Sequence, residues 1–189
     1  MKIMAINGSP REKGNTSFLL EAVLEGASES GAGTTHVRLD QLDLKGCMGC
    51  FACRKQPGFC QRKDGLAPYL EEMKNCDGMV VGCPIYMYHI SGQMKIFVDR
   101  IYSFYINQAD GTYKSALPPG KRLALVTTQG HPDPERHQRA IRWLNGMVKG
   151  LGMEEVGKII HVNSHVQPAW DDPGLLTKAR QIGRQLAGI

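Results

Sequence analysis

The chain has 189 residues, 42% of them hydrophobic, and a net charge of +5. It is long enough for one domain over 1–189 with a substantial core, and its scattered Lys and Arg, without a run of five, argue against nucleic acid or a membrane surface as partner. No apolar stretch reaches membrane-spanning length and the N-terminus lacks a signal-peptide layout, so a cytoplasmic location is expected; six cysteines there point to metal or redox chemistry rather than disulfides.

The first predicted strand, Lys2–Asn7, runs into Gly8-Ser9-Pro10-Arg11-Glu12-Lys13-Gly14-Asn15-Thr16-Ser17, and a helix is expected over Thr16–Ser30. A strand, a Gly-rich loop and a helix start gather free backbone N–H groups at the positive end of the helix dipole, which favours a phosphate. Ser9, Arg11, Asn15, Thr16 and Ser17 can add donors. Five residues separate Gly8 from Gly14 and Asn15 follows, so the loop is not a Walker A loop; no G-x-G-x-x-G is present either. A monophosphate ester suits it, against the plainer reading of a connection capped by Thr16.

A second strand is predicted at Thr34–Leu39. The loop after it carries Cys47-x2-Cys50-x2-Cys53-x6-Cys60. Consecutive C-x2-C steps fit an iron–sulfur loop better than zinc, which usually takes two separated C-x2-C pairs. A loop of free, partly buried thiols stands as an equal alternative. Arg54, Lys55, Arg62 and Lys63 would favour thiolates or a negative cluster, or simply form a solvated surface. Cys76 and Cys83, outside the run, read as core.

A helix at Leu66–Asn75 leads to a third strand, Gly78–Cys83, which Pro84 is expected to stop. The loop Pro84-Ile85-Tyr86-Met87-Tyr88-His89 offers flat and soft apolar surface for an aromatic ring system. Tyr86 and His89 are candidate substrate contacts. The next predicted helix, Gly92–Tyr105, has an apolar face of Met94, Phe97, Val98, Ile101 and Tyr105 that reads as core, and Asp99-Arg100 is expected to order the helix and nearby loops. The long stretch 104–120, with a turn at Asp110-Gly111, is expected to shield the ligand or pack on a second subunit.

A fourth strand at Arg122–Thr127 opens into Thr127-Thr128-Gln129-Gly130, rich in hydrogen-bonding groups; His131 follows. A helix at Glu135–Lys149, a strand at Lys158–Val162 and a helix at Pro173–Ala187 complete the pattern. Five strands alternating with five helices imply a parallel sheet covered on both faces. Its ligand should lie at the carboxyl ends of the strands, where the three loops meet. Phosphate donors, an aromatic loop and a polar loop together fit FMN.

Gly8-Ser9-Pro10-Arg11 with Gly14-Asn15-Thr16-Ser17, Pro84-Ile85-Tyr86, and Met94-Lys95-Ile96-Phe97-Val98-Asp99-Arg100 resemble the NADPH-dependent FMN reductase family of flavodoxin-like proteins, over Lys2 to about Gly130. The resemblance implies a doubly wound sheet of order 2-1-3-4-5. It implies that Ser9, Arg11, Asn15, Thr16 and Ser17 hold the FMN phosphate, that Pro84, Ile85, Tyr86 and Met87 line the isoalloxazine, and that Thr127, Thr128, Gln129 and Gly130 approach its pyrimidine edge. The cysteine run resembles the iron–sulfur flavoprotein branch, in which Cys47, Cys50, Cys53 and Cys60 would hold a 4Fe–4S cluster. The expected activity is electron transfer from NAD(P)H through FMN to a quinone, nitro compound, flavin or redox protein. The alternative is a carrier served by ferredoxin-like partners. A thiol or flavin sensor has less behind it, since no output domain is marked. Family members are usually homodimers or homotetramers.

Overall fold

The computed structural model describes all 189 residues. The strands that build the main sheet are β1 (Lys2–Asn7), β2 (Gly33–Arg38), β3 (Gly78–Tyr86), β7 (Arg122–Thr128) and β8 (Glu154–His161). They lie in the order β2-β1-β3-β7-β8, all parallel. In order of these main strands this is 2-1-3-4-5, the flavodoxin-like order. A short β4 (His89–Ile90) folds back antiparallel on β3, and β5 (Tyr105–Asn107) pairs with β6 (Tyr113–Ser115) as a separate hairpin.

Alternation along the buried strands sets the two cores. On β1, Ile3 and Ala5 face α1 (Asn15–Glu29) and α6 (Pro173–Leu186), while Met4 and Ile6 face the other side. There, α3 (Ala67–Glu72), α4 (Gly92–Ile101) and α5 (Gln138–Lys149) cover the sheet, with Phe97, Ile101 and Leu144 fully buried. No helix is long and apolar enough to cross a membrane.

The α1–α6 contact depends on two glycines. A Cβ on Gly183 would stand 2.0 Å from the Val23 carbonyl oxygen, and one on Gly26 would stand 2.0 Å from that of Arg180. Backbone has replaced side chain at this crossing. Gly183→Ala is therefore expected to cost about 3 kcal/mol through forced separation of the helices. Urea unfolding measures it, and a cost below about 1 kcal/mol would contradict the close approach.

Three expectations change. Pro84 does not stop β3, which continues to Tyr86. β1 ends at Asn7 opposite Gly82, so Pro84 lies where β3 has lost that neighbour and a missing N–H costs little. The fifth main strand begins at Glu154, not Lys158, because an edge strand can carry exposed Glu154 and half-buried Glu155. The predicted Gly92–Tyr105 helix ends at Ile101, and a 3-10 turn (Tyr102–Phe104) delivers Tyr105 to β5. The 104–120 stretch is the β5–β6 hairpin, turning at Gly111 (φ +82°) as expected. It does not line the cleft described below; the Tyr105 hydroxyl donates to the Met147 carbonyl at the end of α5 instead.

Candidate functional site

The carboxyl ends of β1, β3, β7 and β8 surround a cleft of about 310 Å3. Its polar end is the loop after β1. Gly8 N–H donates to Gly82 O (2.8 Å), and Ser91 Oγ donates to Gly8 O (2.6 Å), fixing the loop to β3 and α4. Asn7 Oδ1 accepts from Ser9 N–H (2.9 Å), and Ser9 Oγ accepts from Arg11 N–H (3.2 Å). The loop reaches α1 with Gly14 as N-cap and no side-chain capping bond. Thr16 is therefore not the cap; its hydroxyl meets that of Thr128 at 2.8 Å, joining the start of α1 to the end of β7. The first-turn N–H groups are left for a ligand, and α1 has no acidic residue in its first turn.

The rest of the wall is Pro84, Ile85 and Tyr86 on one side and Thr128, Gln129 and Gly130 on another. Gln129 is buried, with its Nε2 donating to His131 O (3.1 Å) and Asp133 O (2.7 Å). Those two bonds fix the amide, and its buried Oε1 is left without a partner. No Asp or Glu lines the cleft.

Some expected residues stand elsewhere. The Ser17 hydroxyl donates to Arg11 O (2.9 Å) and accepts from Asn7 Nδ2 (3.0 Å), so it shapes the loop from behind. Thr127 is buried, its hydroxyl turned to Ile159 O. Asn15 lines the cleft, but its amide ties down the 161–172 loop: Nδ2 donates to Ser164 O (3.0 Å), and Oδ1 accepts from Ala169 N–H (2.6 Å). Met87 is 93% exposed and lies outside the cleft. His89 packs at a tilt against Trp143, ring centroids 5.2 Å apart.

Ser164, His165, Pro168 and Trp170, which no motif marks, close the cleft from the loop after β8. Position alone could have found them, since this loop also leaves a strand's carboxyl end. The His165 ring packs on Gly130, where a Cβ would come within 2.5 Å, and Trp170 packs on Phe18.

The Tyr86–His89 turn is strained. Met87 (φ +46°) and Tyr88 (φ +66°) both adopt left-handed backbone, which a two-residue hairpin requires and which usually selects Asn-Gly. Since Met87 is almost fully exposed, Met87→Asn is expected to stabilise the protein by about 1 kcal/mol. A thermal melt checks this; an unchanged or lower midpoint would mean that the methionine makes contacts offsetting the strain.

The second candidate site is the cysteine loop. Cys47, Cys50, Cys53 and Cys60 line one small cavity, closed by α2 (Ala52–Lys55) and by Arg100 of α4. The Cys53 thiol is pushed up by burial, with Cys60, Cys47 and Cys50 adding to the rise. No three His, Cys, Asp or Glu side chains are arranged to hold a metal ion. Cys76 and Cys83 are buried, as expected. Burial pushes the Cys83 thiol up to about 11, so it stays protonated.

A parallel sheet of order 2-1-3-4-5 with an uncapped helix start, an apolar hairpin and a polar amide loop at one end defines a flavodoxin-like protein. The chain matches the NADPH-dependent FMN reductase family over residues 1–165 and belongs to it. It is 38% identical over 100 residues to an iron-sulfur flavoprotein of Methanocaldococcus jannaschii, covering 53% of this chain and 51% of that one. An iron-sulfur flavoprotein of Archaeoglobus fulgidus is 26% identical over 187 residues, 99% of this chain and 79% of that one. The chain spans about half the length of most such relatives. Among solved structures, the FMN-dependent NADH-azoreductase of Bacillus anthracis shares the fold with a TM-score of 0.75, at 15% identity and covering 99% of both chains.

Proposed function

We propose that the chain is an FMN-dependent oxidoreductase passing electrons from a reduced nicotinamide to a quinone, nitro compound, flavin or redox protein. One observation carries the reading: a 15-residue helix begins, without a side-chain cap, in a cleft that contains Arg11 and no carboxylate. Such a start leaves N–H groups aimed at an anion. The cleft volume is at the lower end of the range for small-ligand sites. FMN, when bound, supplies hydride acceptance and release.

The chain's own residues bind, orient and exclude water. Ser9 and Thr16 hydroxyls, Arg11 and the α1 N–H groups would hold the phosphate. Pro84, Ile85 and Tyr86 would flank the ring, with Trp170 keeping water from the opposite wall. Gln129 lines the cleft with its amide fixed by two backbone bonds, and with Thr128 and Gly130 would approach the polar edge of the ring. No side-chain proton donor is assigned.

A second reading adds a one-electron 4Fe–4S cluster and ferredoxin-like partners. The C-x2-C-x2-C-x6-C run supports it, as does the segment from Leu44 to Lys63, which has five Lys and Arg and no Asp or Glu; the four cysteines share one cavity but do not stand in metal-holding positions, so the loop would have to rearrange around a cluster. A homodimer or homotetramer belongs to the proposal; the open apolar groove of Phe51, Val98, Ile101, Trp143 and Met147 is surface that such an assembly could bury.

The test is the visible spectrum of anaerobically purified protein with iron and acid-labile sulfide analysis, followed by NADPH addition. A two-peaked flavin spectrum bleached by NADPH is the expected result for the reductase. A broad brown shoulder with near-equal iron and sulfide, bleached faster by reduced ferredoxin, supports the carrier. A colourless protein that takes up no FMN overturns both.

A further inference from the structure

The hairpin that carries Tyr86 into the cleft wall holds, on Tyr88, a cation that the flavin reading does not use. Arg136 is exposed and follows the loop that Gln129 anchors to the cleft floor. Its Nη2 donates to the Tyr88 hydroxyl at 2.7 Å, and its guanidinium lies over the Tyr88 ring, 5.2 Å from the centroid. Tyr88 belongs to the hairpin that carries Tyr86 and is braced from another side by His137, ring centroids 5.2 Å apart. Arg136 thus ties the hairpin that carries Tyr86 to the segment that follows Gln129.

The contact uses one of five guanidinium N–H donors. Neither Arg136 nor Arg139 and Arg142, exposed on α5, pairs with a carboxylate. The two nearby acids are engaged locally: Asp133 Oδ1 accepts from Glu135 N–H (2.9 Å), and Glu135 Oε1 accepts from Gln138 Nε2 (3.4 Å). A guanidinium held on an aromatic ring with open donors is pre-arranged for a phosphate.

We infer that Arg136, positioned by Tyr88, binds a phosphate of the nicotinamide dinucleotide and so sets the affinity for the hydride donor. The inference rests on the oxidoreductase reading. The nicotinamide must reach the ring from the open side of the cleft, and the rest of the dinucleotide then extends past the entrance. A charge-assisted contact there would hold the donor without touching the reacting atoms. Arg136 is accordingly a binding residue, and Tyr88 a positioning one.

The test compares flavin bleaching in the FMN-loaded protein by three donors: NADPH, NADH and 1-benzyl-1,4-dihydronicotinamide, which carries the same hydride but no phosphate. Arg136→Gln is expected to raise the half-saturating concentration of NADPH by about tenfold or more, with the limiting rate retained. Tyr88→Phe should give a smaller rise, and Arg136→Lys a partial rescue. If NADH loses as much as NADPH, the pyrophosphate is the group bound; if only NADPH loses, it is the 2′-phosphate. The phosphate-free donor should behave alike in wild type and Arg136→Gln. An unchanged dinucleotide response, or an equal loss with the phosphate-free donor, overturns the assignment while leaving the oxidoreductase reading intact. Bleaching of the wild type by none of the three donors overturns that reading, and the Arg136 assignment with it.

Discussion

Replacing Arg100 with Met is expected to destabilise the protein by about 3–5 kcal/mol, the cost of stranding a buried charge. Arg100 and Asp64 have side chains with no solvent exposure at all. Nη1 donates to Asp64 Oδ2 (2.6 Å) and Lys45 O (2.9 Å), Nη2 to Asp64 Oδ1 (3.2 Å) and Arg62 O (3.1 Å), and Nε to Cys60 Sγ (3.1 Å). One helix residue thus fastens both ends of the loop that carries the four cysteines. Methionine fills the volume but leaves Asp64 and two carbonyl oxygens without this donor.

The pH dependence gives a second check. Burial alone would raise the Asp64 carboxyl, but the Arg100 bonds and the Lys45 and Leu66 N–H groups hold it below the usual carboxylate range. In the native protein its contribution is full above the unfolded value of about 4 and is lost as pH falls through the lowered folded value. In Arg100→Met the same carboxyl is buried without a cation, so its pKa rises and the sign reverses. The variant's deficit should be largest near neutral pH and shrink on acidification toward pH ~4. Urea unfolding at several pH values measures this, and Arg100→Met with Asp64→Leu should recover much of the loss. A deficit below about 1 kcal/mol, or one independent of pH, would mean that the pair does not anchor the loop.

This pair also illustrates what the sequence conceals. Asp99-Arg100 read as ordering the helix and nearby loops, and the structure divides that work between the two residues without the sequence having shown which partners they take. Asp99 is exposed and meets Lys95 one turn away, whereas Arg100 reaches Asp64, 36 positions earlier. Helical spacing identifies which residues share a face but not what the opposite element brings. The sheet was legible for the converse reason: β1 and β3 are buried on both faces, so their apolar runs are continuous, and alternation with helices makes the sheet parallel, while the strand order came from the family resemblance. Edge strand β8 was half hidden because exposure lets polar residues enter it. Within the cleft, the loops after β1, β3 and β7 were marked by Gly, Pro and hydroxyl residues of clear chemistry. The loop after β8 had no such mark: it is held to the cleft by Asn15, whose amide bonds the backbone of Ser164 and Ala169. Hydroxyl density also overstated the site, since Ser17 and Thr127 spend their hydroxyls on nearby backbone carbonyls.

Thr16→Asp is expected to lower FMN affinity by about a thousandfold while the protein stays folded. Thr16 sits in the first turn of α1, buried and facing Thr128 across the polar end of the cleft. A carboxylate there competes for the N–H groups that a phosphate would use. It also adds repulsion of about 4 kcal/mol for unit charges 4 Å apart in a partly shielded site. For the helix itself the sign is opposite, because an acid in the first turn complements the dipole and supplies the side-chain acceptor that Gly14 lacks. Thr128 can rotate its hydroxyl to donate to the new carboxylate, so the ligand-free protein should melt within a few degrees of wild type. Thr16→Ser keeps the hydroxyl and should bind FMN within about threefold. Riboflavin separates phosphate from ring: lacking the phosphate, it should bind wild type and Thr16→Asp equally weakly. Fluorescence titration with both flavins makes the comparison. If Thr16→Asp lost riboflavin as much as FMN, the substitution would be distorting the cleft. If it lost neither, the phosphate would not lie at the start of α1. Only a loss confined to FMN ties the binding free energy to an anion at an uncapped helix terminus.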